Sequence, residues 1–287
     1  MATDLIDFER YPLDDPSSVR RSATVEQARA GLRADGCAVI PDLVRPDALQ
    51  RLHAEIEASV HDAHFSTKSM NPYFRTDPDP AYPDRHPINT FIERSSGFVA
   101  GDAWTADSAM TALFNSPDLI AFVAECLELP ELHCYADPLA GLTANILKPG
   151  QQFTWHFDTN DFAVTLLVDR AEEGGLFQYV PAIRSPQHEG FDDIQAVLEG
   201  GELLQGELGV RTLELRPGDL QIFRGRHSLH RVTRVGGSMP RYAAILAYTQ
   251  KPGVIGRVAR TRQLFGRVLP AHIDAEKKRV RSDTLID

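Results

Sequence analysis

Residues 142–180 read LTANILKPGQQFTWHFDTNDFAVTLLVDRAEEGGLFQYV, and this stretch decides the fold. It holds four runs rich in β-branched and aromatic residues: Leu142–Leu147, Gln152–Phe157, Phe162–Val168 and Gly175–Val180. Pro, Gly, Asn and Asp separate them, and each is strand length rather than helix length. The pattern resumes in Arg211–Leu215, Leu220–Phe223, Leu229–Arg234 and Tyr242–Thr249, with Arg216-Pro-Gly-Asp219 as a turn signal before the second of these. So many short strands predict a sandwich or barrel. Phe191–Gly201 reads as a helical insertion.

Working outward, the N-terminal side is helical in character. Thr24–Ala34 predicts a short helix, with Thr24 and Gln27 at capping-box spacing and Gly36 as a stop. Cys37–Ile40 is a brief strand, and after Pro46 the spacing of Leu49, Leu52, Ile56 and Val60 predicts a second helix with one buried face. Met70–Thr90 holds five prolines, so it predicts a long loop, either a lid or a surface excursion. From Lys251 on, nine Lys/Arg stand against four Asp/Glu, which reads as a solvated helical face. The expectation is one domain over 1–287, with a helical part at 17–130, a β core at about 132–250 and a tail at 251–287.

Composition narrows the function classes. Hydrophobic residues at 43% and charged residues at 24% are ordinary globular values. Forty acidic against thirty basic residues give a net charge of −10, which disfavours a nucleic-acid partner. Cys37, Cys126 and Cys134 are odd in number and lack CxxC spacing, so a reducing compartment fits better than a disulfide framework. The N-terminal MATDLIDFER does not resemble a signal peptide, and no apolar run reaches membrane-spanning length, so the expectation is a cytoplasmic protein without membrane partners.

The chemistry concentrates at Trp155-His156-Phe157-Asp158. On a strand, residues two apart share a face, so His156 and Asp158 present an imidazole and a carboxylate to one point. The spacing alone is weak, because His272-Ile273-Asp274 repeats it. A facial triad needs a later histidine, and none follows His272. After Asp158 the candidates are His188, in a Pro/Gly-bounded stretch, His227, and His230, which a strand from Leu229 would carry with Val232 on one face. His230 is preferred. Sequences with GxGxxG, GxxxxGK[ST], GxSxG or HExxH are absent, which removes hydride-transfer, NTPase, serine-hydrolase and zincin readings.

Two longer segments carry a resemblance. Leu142-Thr-Ala-Asn-Ile-Leu-Lys-Pro-Gly150 followed by His156-x-Asp158 and Phe162–Val168, and then Gly218-Asp-Leu-Gln-Ile-Phe223, His230-x-Val232 and Arg241 eleven residues on, resemble the Fe(II)/2-oxoglutarate dioxygenase superfamily. The resemblance covers about residues 132–250. His156-Phe-Asp-Thr-Asn-Asp-Phe162 and the run from Gly218 to Thr233 resemble more closely the small-molecule branch of free-amino-acid hydroxylases and lysine-type halogenases. This resemblance implies a mainly β fold, a double-stranded β-helix of jelly-roll, cupin-like type with flanking helices.

It also implies Fe(II) held by His156, Asp158 and His230, with 2-oxoglutarate as co-substrate, O2 as oxidant, and succinate and CO2 released. Arg241 would anchor the far carboxylate of 2-oxoglutarate through its planar fork. Thr165 and Asn145 could assist. Halogenases of this type replace the liganding carboxylate with a small residue, and Asp158 departs from that pattern, which implies hydroxylation. The implied substrate is a small polar metabolite such as a free amino acid, with Arg75, Arg94, Asn160 and Asp161 as candidate contacts. A natural-product or lipid intermediate is the alternative, and a cupin-type metal protein the competitor from another class.

Overall fold

In a computed structural model, described for residues 4–200, 209–277 and 286, two antiparallel sheets face one another and helices cover one of them. The chain runs α1 (Val19–Asp35), β1 (Cys37–Ile40), α2 (Pro46–Ser59), β2 (His64–Met70), β3 (Ile92–Val99), α3 (Ala109–Phe114) and α4 (Pro117–Cys126). Then follow β4 (Leu142–Leu147), β5 (Phe153–His156), β6 (Ala163–Asp169), β7 (Phe177–Val180), α5 (Phe191–Leu198), β8 (Arg211–Leu213), β9 (Leu220–Phe223), β10 (Leu229–Val232), β11 (Arg241–Leu246), α6 (Val258–Phe265) and α7 (Pro270–Glu276). The larger sheet has the order β1-β9-β6-β11-β4-β3-β2, and the smaller has β8-β7-β10-β5. All eight expected β-type runs carry strands, with ends shifted by up to three residues, and the fold is the expected jelly roll.

The period of two along each strand sorts the large sheet into two faces. Val164, Leu166 and Val168 of β6, Leu220 and Ile222 of β9, and Tyr242, Ala244 and Leu246 of β11 join one core cluster with Val25, Leu32, Leu52 and Ile56 of α1 and α2. The alternate residues face the smaller sheet, where Phe98, Leu147, Phe153, Phe177 and Phe223 form a second cluster. The same alternation turns Asn145, Thr165, Gln221 and Arg241 into the space between the sheets.

Several expectations need correction. The first helix starts at Val19, five residues before Thr24, whose hydroxyl donates back to the Arg20 carbonyl; Thr24 is an interior residue, not a cap. Its end is as read, with Gly36 left-handed at φ 72°. The stretch expected to be helical also contributes β2 and β3, which extend the large sheet and whose polar, weakly alternating sequence hid them. Met70–Thr90 is a folded loop. Asn71 is fully buried, donates to the Ile88 carbonyl at 2.6 Å and accepts from the Tyr73 and Arg75 amides at 3.0 Å. The end of the expected 191–201 helix lies partly outside the described residues.

Within the described residues 251–277, the tail is not solvated throughout, since Thr261, Phe265 and His272 are buried. His272 is fully buried and pairs with Asp137 at 3.0 Å, and Asp137 also accepts from the amides of Leu139, Ala140 and Gly256. This clamp fastens α6 and α7 across the mouth of the jelly roll.

Candidate metal and co-substrate site

The smaller sheet builds the centre. In the β5/β10 ladder His156 and His230 stand directly opposite one another, so their side chains leave the same face, and their ring centroids are 4.0 Å apart. Each Nδ1 is hydrogen-bonded to the carbonyl two residues earlier, Thr154 at 2.7 Å and Ser228 at 2.9 Å. As donors to those carbonyls, both rings carry the proton on Nδ1 and direct a bare Nε2 at the centre.

Asp158 lies just beyond the end of β5, not on it, and its amide donates to the Gly225 carbonyl at 3.1 Å. One carboxylate oxygen is 3.9 Å from His156 Nε2 and 3.5 Å from His230 Nε2. The other, Oδ2, is buried and without a hydrogen-bond partner among the described residues. An ion-sized gap ringed by two bare imidazole nitrogens and an orphaned carboxylate fits a divalent first-row metal in a facial triad, and the three residues form the one such His/Asp cluster among those described. Burial, His230, and the charges of Arg260 and Arg94 hold His156 well below its usual range, so it is neutral and ready to ligate.

The triad opens on a cavity of about 280 Å³. Arg241, the first residue of β11, reaches into it from the large sheet with 6% exposure and no ion pair or side-chain hydrogen bond among the described residues. Burial lowers it to about 10, which still leaves a full positive charge at neutral pH. Its methylene stem packs beside Gly175, where an added Cβ would lie 3.2 Å from Arg241 Cδ. A buried guanidinium facing a cavity without a counter-ion is a receptor for an anion. Thr165 and Asn145 line the same cavity; Thr165 donates to Gln221 at 3.1 Å and Asn145 donates to the Gly97 carbonyl at 3.3 Å.

The other sequence candidates scatter. Asn160 lines the cavity, whereas Asp161 is exposed and lies 3.9 Å from Arg226. Arg75 points away and pairs with Asp79 at 3.4 Å. Arg94 is 1% exposed behind Phe153 and Phe98. His188, His227 and His272 take no part in the triad.

Sequence reasoning missed Gln221, Gly225, Phe74 and Arg260. Gly225 admits no side chain, since a Cβ there would lie 1.9 Å from Asp158 Oδ2. Phe74, held left-handed at φ 62°, sets its ring 5.1 Å from that of His156. Arg260 of α6 lies over Phe74, its Cζ 3.3 Å from the ring centre, and Gln263 on the same helix donates to the Phe74 carbonyl at 2.8 Å. A glycine beside an Arg-His run was a weak signal; Arg260 had none.

Residues 94–260, more than half of the chain, match the model of the Halogenase D family. The chain belongs to that family. Among solved structures, this family member is similar to the α-ketoglutarate-dependent carbocyclase SnoK from nogalamycin biosynthesis (14% identity, TM-score 0.54, 78% of this chain and 83% of that one). It is similar also to HygX from Streptomyces hygroscopicus, solved with nickel, 2-oxoglutarate and hygromycin B (14%, 0.52, 80% and 88%). A third is a 2OG-Fe(II) oxygenase family oxidoreductase from Burkholderia pseudomallei (13%, 0.52, 80% and 92%). No curated protein matches by sequence. The likeness to the solved structures gives the fold that these enzymes share, and the His156, Asp158 and His230 cluster adds a place for a metal ion.

Proposed function

We propose that this Halogenase D family member hydroxylates a C–H bond of a small polar metabolite, a free amino acid or a derivative of one, in the cytoplasm. The observation that carries the reading is that Asp158 occupies the third corner of the triad, with an unpartnered oxygen beside the two bare imidazole nitrogens. A halogenase of the kind the family is named for needs that corner free for halide; here a carboxylate takes it. No helix among the described residues is long and apolar enough to cross a membrane, and the three cysteines are free thiols, which suits this setting.

His156, Asp158 and His230 would hold Fe(II), which with 2-oxoglutarate supplies the oxidising power for C–H hydroxylation as succinate and CO2 are released. The protein's part is placement. The backbone carbonyls of Thr154 and Ser228 fix both imidazole tautomers and ring planes. Arg241 takes the far carboxylate of 2-oxoglutarate, and Thr165 with Gln221 gives that end a fixed polar wall. Phe74 and the loop beneath Asn71 cover His156 and keep bulk water from the centre.

The test is anaerobic addition of Fe(II) and 2-oxoglutarate, read as a weak visible charge-transfer band, followed by a screen of amino acids for succinate release and product mass in high chloride. A gain of one oxygen is expected. Arg241→Leu should weaken 2-oxoglutarate about 100-fold, since one charge of a buried pair is worth roughly 3 kcal/mol. A chlorine isotope pattern from the unmodified enzyme would overturn the reading.

A further inference from the structure

Besides Arg241, two arginines from the C-terminal side line the cavity, Arg257, which has an interaction of its own, and Arg260. Arg260 reaches the cavity from α6, close enough for its charge to act on His156. Its position is set in advance: the guanidinium is stacked on Phe74, and Nη1 donates to Gln263 Oε1 at 3.0 Å. No carboxylate lies within ion-pair distance of it among the described residues. Behind it Arg94, 1% exposed, donates through Nη2 to Ser96, while Nε and Nη1 have no hydrogen-bond partner among the described residues. Arg94 lies 4.5 Å from the Phe153 ring centre, and Phe153 lines the cavity.

Charge balance gives these two arginines a purpose. Among the described residues, Asp158 is the one carboxylate lining the cavity. A divalent metal and dianionic 2-oxoglutarate cancel, and Arg241 is offset by Asp158. Arg260 and Arg94 then stay uncompensated in surroundings that burial makes poor at solvating charge. The cavity lining also holds the apolar Phe98, Phe153, Leu264 and Phe265, with Arg257 and Thr261 as polar neighbours of Arg260 in the chain.

Resting on the oxygenase reading, we propose that Arg260 anchors a carboxylate of the substrate, with Arg94 adding field from behind and the phenylalanine wall taking an apolar body. The substrate is thus an organic anion whose oxidised carbon is presented to the centre from the α6 side. Because Arg260 belongs to a helix clamped by His272 and Asp137, it is a specificity residue delivered by the C-terminal segment.

The experiment uses full-length protein loaded anaerobically with Fe(II) and 2-oxoglutarate, so that Arg241 is already engaged. Calorimetric titration compares acetate, butyrate, phenylacetate and phenylpropionate with their neutral amides. At least one carboxylate should bind tenfold or more tightly than its amide. Arg260→Gln should abolish that preference and Arg260→Lys should keep part of it, with the 2-oxoglutarate band of the parent protein as the reference for a loaded centre. If the band never forms, the oxygenase reading has failed. If it forms and no carboxylate is preferred, or Arg260→Gln keeps the preference, this inference alone has failed.

Discussion

At the residue scale, the centre depends on one atom that is missing. Gly225 leaves room for Asp158 Oδ2, and its own carbonyl fixes the Asp158 amide, so the carboxylate is steered from a loop that follows β9. Gly225→Ala would drive a methyl group into that oxygen and turn the carboxylate away. The fold should persist, because the glycine lies outside the core clusters, while Fe(II) affinity drops roughly 10- to 100-fold, the range for disturbed support of a ligand. Titrating the charge-transfer band while following Tm checks this; an unchanged band would show that Asp158 does not need the space. His156, Asp158 and His230 were legible only from the His-x-Asp spacing taken together with the segments around it. Gly225 was not, since its part arises from two loops meeting.

At the element scale, the Met70–Thr90 segment shows how a loop without helix or ladder becomes rigid. Its five prolines limit the chain, and Asn71 supplies the internal hydrogen bonds that a ladder would otherwise provide. Asn71→Ala would strand a buried carbonyl and two amides, at a cost of about 2–3 kcal/mol. Phe74 would lose its anchored approach to His156. Urea unfolding should show the loss, and a change under about 0.5 kcal/mol would mean that the loop is held by its apolar contacts instead. Prolines and the absence of periodicity gave the loop; that it folds down over the centre was not visible, because a single asparagine carries no periodic signal. The error at Thr24 is similar in kind, a local cap signal overridden by packing of α1 on the sheet and α4.

At the scale of the whole molecule, a neutral His156 links folding to pH. Its protonation is suppressed by burial and by neighbouring positive charge, while in the unfolded chain it titrates near 6.5. Between the lowered folded pKa and 6.5 the unfolded chain binds more protons, so stability rises with pH across that window and is lost as pH falls below 6.5. In metal-free protein, His156→Gln should therefore lose less stability than the parent between pH 7 and pH 5, measured by urea unfolding at each pH. Equal losses would assign the acid sensitivity to other groups.

The sequence by itself determined the strand runs, because a strand's period of two is local geometry, whereas the structure decided that Asn145, Thr165, Gln221 and Arg241 line one space. The sequence also singled out His156, Asp158 and His230, which the structure brings together in one cluster, because their types and order are visible without knowledge of packing. Only the tertiary structure decided that His156 and His230 stand opposite each other in one ladder, that Gly225 yields to Asp158, and that a tail rich in arginine folds back to place Arg260 over Phe74. Those arrangements come from contacts between residues far apart in the chain, which local pattern does not encode.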